Sequence, residues 1–107
     1  MKKVLLIVVL ILLTACSTKS ELDKILEENN YIIIDVRTSL EYESGHIKDS
    51  INIPYDNLTD SFDKNKTILV YCKSGRRSSI AYDTLTTMGY KVYDLGAYEK
   101  IDLPKEK

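Results

Sequence analysis

The stretch Cys72-Lys73-Ser74-Gly75-Arg76-Arg77 sets one thiol beside three cations and a glycine. A cysteine reacts as its thiolate, so its surroundings decide whether it is a nucleophile. Residues Thr67 to Tyr71 are an apolar, β-branched run that ends at this cysteine. Helical spacing resumes at Ser78, just beyond the loop. The thiol is therefore expected at the carboxyl end of a buried strand, where open α/β sheets bind ligands. Gly75 permits backbone angles that other residues avoid, so the N–H groups of Lys73 to Arg77 can turn inward as an anion cradle. The helix that follows adds partial positive charge at its N-terminus, and Lys73, Arg76 and Arg77 add full charges. All of these favour a thiolate. The expected chemistry is nucleophilic attack by Cys72, with the loop holding an anionic substrate or a bound persulfide. No metal and no cofactor is called for, since His46 and Cys16 are poorly spaced to ligate jointly with Cys72.

Several of these residues also have plain structural explanations. Arg77 either contacts substrate or, as a helix-start residue, pairs with an acidic neighbour. Arg76 can be simply solvated. Asp35 and Arg37 are expected to be structural, with Arg37 bracing Glu41 or a loop carbonyl. His46 is expected to be a hydrogen-bonded turn residue, because a thiolate at lowered pKa needs no base to remove its proton. The eight tyrosines are expected to cover a small core.

The elements that must position the loop follow from the pattern of apolar residues. Ser20 is an N-cap candidate, and Leu22, Ile25 and Leu26 give Glu21 to about Glu28 one apolar stripe. Asn29-Asn30 should end that helix. Tyr31 to Val36 is a strand buried on both faces. Ser39 to Ser44 suggests a helical turn, and Ile51 to Ile53 a short strand stopped by Pro54. Tyr55 to Lys66 predicts a short helix and a loop, with Leu58 and Phe62 four apart. Thr67 to Tyr71 is the third strand. Ser78 to Met88 is a helix with Ile80, Ala81, Leu85 and Met88 inward, closed by Gly89. Lys91 to Leu95 is a fourth strand, and a last turn runs through Ile101. Strands alternating with helices imply an α/β domain around a mostly parallel sheet.

The chain is 107 residues long, room for one domain. Its net charge of -1 gives no basic excess, so nucleic acid is not an expected partner. The averages conceal a split. Lys2 and Lys3 precede ten unbroken apolar residues, Val4 to Leu13, and Thr14, Ala15 and Cys16 follow. That is the layout of an export signal, and ten apolar residues are about half of what a membrane span requires. Cys16 and Cys72 could form one disulfide. However, Leu13-Thr14-Ala15-Cys16 resembles the lipobox of bacterial lipoproteins. That resemblance implies cleavage before Cys16, a diacylated thiol and stable anchoring by two or more acyl chains. The expected organisation is a signal peptide over 1–15, a lipidated cysteine and tether over 16–19, and a domain over 20–107. The expected location is the cell envelope, anchored to a membrane and facing outward, either periplasmic or on the cell surface. Cys72 is then an unpaired thiol.

Cys72 to Ser78 resembles the active-site loop of the rhodanese family of sulfurtransferases. Ile34-Asp35-Val36-Arg37 with Glu41-Tyr42, Gly45-His46-Ile47, Ser50 to Pro54, and Gly89-Tyr90 with Leu95-Gly96 resemble its other stretches in order. At the closing stretch many members have Gly-Gly and a tryptophan, where this chain has Gly96-Ala97-Tyr98. The resemblance implies a five-stranded, mainly parallel sheet with helices on both faces. It implies transfer of sulfane sulfur from thiosulfate or a persulfide donor, through a Cys72 persulfide, to cyanide or a cellular thiol. Lys73, Ser74, Gly75, Arg76 and Arg77 would hold the persulfide and the anionic substrate. A monomer is expected. Two rivals stand beside it. One is a persulfide carrier with little turnover. The other is a phosphatase or arsenate-reducing relative, which resembles Cys-x5-Arg, whereas Cys72 to Arg77 is Cys-x4-Arg with serine at 78.

Overall fold

A computed structural model describes residues 19–107. The expected signal peptide, Cys16 and nearly all of the tether lie outside the described residues. Ser20 caps the first helix, α1 (Glu21–Glu28), by accepting the Asp23 N–H, and Asn29 ends it in the left-handed conformation. The strands β1 (Tyr31–Asp35) and β4 (Thr67–Cys72) contain the apolar runs, and they pair in parallel from Tyr31 opposite Thr67 to Asp35 opposite Tyr71. Between them lie α2 (Ser39–Glu43), β2 (His46–Ile47) and β3 (Ile51–Asn52). After them come α3 (Arg76–Thr87), β5 (Val92–Ala97) and β6 (Lys105–Glu106). The main sheet has the order β3-β1-β4-β5, all parallel.

Side chains alternate across a strand, so β4 divides the core in two. Ile68, Val70 and Cys72 face one cluster, which Ala81 and Leu85 of α3 complete. Leu69 and Tyr71 face the other, with Ile25 of α1 and Ile47. Helices thus cover both faces of a parallel sheet, as expected. Cys72 belongs to the α3 side.

Four points differ from expectation. The main sheet has four strands rather than five. The remaining two, β2 and β6, form a separate antiparallel pair, His46 opposite Glu106. Neither carries a hydrophobic alternation, so only their backbones reveal the pairing. Second, α3 begins at Arg76, so both loop arginines lie in its first turn. Third, Ile80 points outward, 38% exposed. Fourth, Tyr55 to Lys66 holds only a three-residue 3-10 turn, Tyr55–Asn57. The rest of that segment is tied down by side chains instead. Tyr90 donates to Asp60 and accepts the Phe62 N–H, while Lys64 pairs with Asp60 and lies over the Tyr90 ring.

Among the described residues no helix is long and apolar enough to cross a membrane, and no cluster of side chains suits a metal ion.

Candidate active site

Cys72 is the last residue of β4 and is completely buried. The chain leaves the strand, turns through Lys73 and Ser74, and enters α3 at Gly75. Gly75 caps that helix at φ 99°, a left-handed angle that a side chain would strain. A Cβ at this position would meet nothing within 4 Å, so the demand for glycine is conformational alone. The turn aims the Gly75 N–H at the Cys72 sulfur, 3.0 Å away. Ser78, one turn into the helix and equally buried, sets its hydroxyl oxygen 3.6 Å from the same sulfur. Burial alone pushes the thiol up. The N–H and hydroxyl of Ser78 and the N–H groups of Gly75 and Ser74 more than offset it, and the net pKa lies below the ordinary thiol value. The donors that face the sulfur come from Ser74, Gly75 and Ser78, whereas the expected cradle ran from Lys73 to Arg77.

The cations are arranged differently from one another. Arg77 forms a two-pronged ion pair with Glu41, at 2.8 and 3.0 Å. This is the bracing alternative, and it ties α3 to α2. Glu41 is doubly used, because it also closes a capping box with Thr38 at the start of α2. The Arg77 guanidinium is the main reason that its carboxyl is lowered to about 2. Lys73 and Arg76 are exposed, and among the described residues neither makes an ion pair. Ser74 is exposed as well.

Asp35 and Arg37 are buried against each other at 2.7 Å. Arg37 also donates to the Gly45 carbonyl at 2.6 Å and lies over the Tyr98 ring. Of its two expected partners it takes the loop carbonyl, since Glu41 is held by Arg77. The tyrosine supplies a flat face beside this buried cation. His46 is hydrogen-bonded as expected, donating from Nδ1 to the Tyr42 carbonyl at 2.8 Å and stacking on the Tyr42 ring, but it lies in strand β2 rather than in a turn. Ser78 is the functional candidate that sequence reasoning passed over. Its placement three residues after Gly75, the helix cap, was the available signal. Two cavities among the described residues, of about 300 and 150 Å³, lie on the α1 side with Leu26 and Leu103 in both walls, and neither includes a residue of the cysteine loop.

Residues 18–102 match the family described as Rhodanese-like domain. Thiosulfate sulfurtransferase PspE of Escherichia coli (strain K12) is 39% identical over 80 residues, which are 69% of this chain and 77% of that protein. Thiosulfate:glutathione sulfurtransferase of Saccharomyces cerevisiae is 32% identical over 77 residues, which are 57% of this chain and 55% of the yeast protein. A solved structure of a rhodanese with anions from E. coli superposes with a TM-score of 0.67 at 38% identity, covering 72% of this chain and 98% of that one.

Proposed function

The chain belongs to the rhodanese-like domain family, and on that premise we propose that it is a sulfurtransferase that carries sulfane sulfur on Cys72. The observation that supports this best is the buried Cys72 sulfur, held by the Gly75 N–H at 3.0 Å at the N-terminus of α3. The thiolate attacks the outer sulfur of thiosulfate. Its electron pair forms the new S–S bond, the old S–S bond breaks, and sulfite leaves with that pair. Cys72 is then a persulfide anion. A nucleophilic acceptor takes the outer sulfur, and the thiolate returns. No proton or redox partner is consumed when the acceptor is cyanide.

Each part of the loop has a task in this cycle. The N–H groups of Ser74 and Gly75 stabilise the sulfur anion through fixed donors, which act strongly where water is excluded. Lys73 and Arg76 draw the substrate anion to the mouth of the loop. Arg77 holds the loop to α2 through Glu41, so its fork is filled. A phosphoryl group would need both a wider ring and a free arginine.

The full chain, assayed with thiosulfate and cyanide, should release thiocyanate, and Cys72→Ser should abolish it. A parent that forms the persulfide but releases no thiocyanate would instead be a carrier. Hydrolysis of aryl phosphates faster than sulfur transfer would overturn the assignment.

For the N-terminal segment we infer export and anchoring through lipid on Cys16. The support is Lys2 and Lys3, the apolar run Val4 to Leu13, and the small residues before Cys16. The domain would then work outside the cytoplasm, at a membrane surface, as a monomer.

A further inference from the structure

We propose that Ser78 is a catalytic residue whose hydroxyl turns between the Gly75 carbonyl and the Cys72 sulfur, donating to the sulfur whenever it is a thiolate. This rests on Cys72 being the sulfur-carrying nucleophile. The Ser78 oxygen lies 3.6 Å from the sulfur and 3.1 Å from the Gly75 oxygen, to which it donates. A hydroxyl has one hydrogen and two lone pairs. With Cys72 as a thiol, the S–H points at the Ser78 oxygen and the hydroxyl points at Gly75. Once the thiol proton leaves, that arrangement sets lone pairs against a negative sulfur. Rotation about the Cβ–Oγ bond brings the hydrogen onto the sulfur instead.

The rotation leaves no buried group stranded. The Gly75 carbonyl also accepts the Ser79 N–H at 3.1 Å, so it keeps a partner when the hydroxyl turns away. For the same reason the hydroxyl is not required to satisfy that carbonyl. Its position, fully buried beside the reacting atom, is explained by what it does for the sulfur. The greatest effect falls on the second half of the cycle. There the acceptor attacks the outer sulfur, the S–S bond breaks, and its electron pair arrives on Cys72. Ser78 donates to that leaving thiolate as the charge develops. In the persulfide the charge sits mainly on the outer sulfur, about 2 Å farther out, and the hydroxyl can return to Gly75.

The test uses the full chain and its Ser78→Ala and Ser78→Cys variants. Each is loaded with thiosulfate, freed of excess, and mixed with cyanide while thiocyanate is followed. Alkylation of the parent and the Ala variant with iodoacetamide is followed across pH. A bond to a charged group of ordinary strength predicts that Ser78→Ala raises the alkylation midpoint by about one unit and slows discharge about tenfold. Ser78→Cys, close in volume but a weak donor, should also slow discharge, so the comparison survives if the Ala variant fails to fold. Discharge and midpoint both matching the parent would overturn the role of Ser78. A parent that loads no sulfur would overturn the sulfurtransferase assignment, and the alkylation midpoints would still decide whether Ser78 stabilises the thiolate.

Discussion

At Cys72, burial and hydrogen bonding pull the thiol in opposite directions, and hydrogen bonding prevails. The lowered pKa is a product of aimed donors more than of nearby charge. Lys73 and Arg76 are exposed to solvent, where screening weakens them, and Arg77 is neutralised by Glu41. Alkylation by iodoacetamide should therefore rise with pH around a midpoint below the free-thiol value of about 8.5, because deprotonation creates the reactive form. Raising the salt concentration should move that midpoint little, since fixed N–H donors are not screened as exposed charges are. A bulky maleimide should react far more slowly, relative to free cysteine, than iodoacetamide does, because Cys72 is enclosed. A midpoint at or above that of free cysteine would refute the activated thiolate. The type and position of this residue were legible in the sequence, as were the loop glycine and the exposed cations. The order of importance among its stabilisers was not. Charges are visible as letters, whereas N–H directions exist only once Gly75 has taken its left-handed angle.

The elements of the sheet were legible for a related reason. Tyr31 to Ile34 and Ile68 to Cys72 are continuous apolar runs because both faces of a parallel strand are covered. The pair β2 and β6 was not legible, since two residues carry no period and the partner lies some sixty positions away. The start of α3 was placed two residues late because Arg76 and Arg77 look like loop residues. Their charges suit the mouth of the site, and Gly75 caps the helix without a side chain. The sequence allows Arg77 an acidic partner but does not show which, because Glu41 lies nearer in the chain to Arg37, and only the fold brings it to Arg77. That link makes a prediction at this scale. Glu41 has its folded pKa lowered from 4.5 to about 2, chiefly by Arg77. A carboxylate lowered in this way stabilises the fold fully above its ordinary value. The contribution fades as pH falls through the range from 4.5 toward 2. Glu41→Gln should lower unfolding stability at pH 7 by about 1–2 kcal/mol, because the pair is partly solvated. The variant should also flatten the decline of stability with acid. Urea unfolding at pH 7, 4 and 3 measures both. The alkylation midpoint of Cys72 should move little, since the Gly75 and Ser78 donors remain. An unchanged acid limb would show that the pair contributes nothing measurable.

For the whole molecule, the question is what holds the domain where it works. Within residues 19–107 the exposed large apolar side chains are Leu40 on α2, Ile51 on β3, and Ile80 and Tyr82 on α3. A few exposed apolar residues are ordinary on any folded domain. The charge of the domain does not help either. Beyond Lys2 and Lys3 there are 13 basic against 16 acidic residues, so an anionic membrane would not attract it. The anchoring proposed above therefore rests on the segment before residue 19. A ten-residue apolar run is about half the length of a span, so the run by itself is a weak anchor. One acyl chain gives marginal binding, and two or more give stable binding. The proposal of lipid on Cys16 thus makes a sharp prediction. The full chain expressed in a bacterium should enter the detergent phase on Triton X-114 separation and carry an acyl mass on its N-terminal peptide. Cys16→Ala should either accumulate as the uncleaved precursor or, if cleaved, move to the aqueous phase. Sulfur transfer by the released form should match the parent, because the chemistry proposed for Cys72 draws on residues of the 72–78 loop alone. A cleaved Cys16→Ala protein that stays in the detergent phase as fully as the parent would refute the lipid anchor, while leaving the assignment of Cys72 intact.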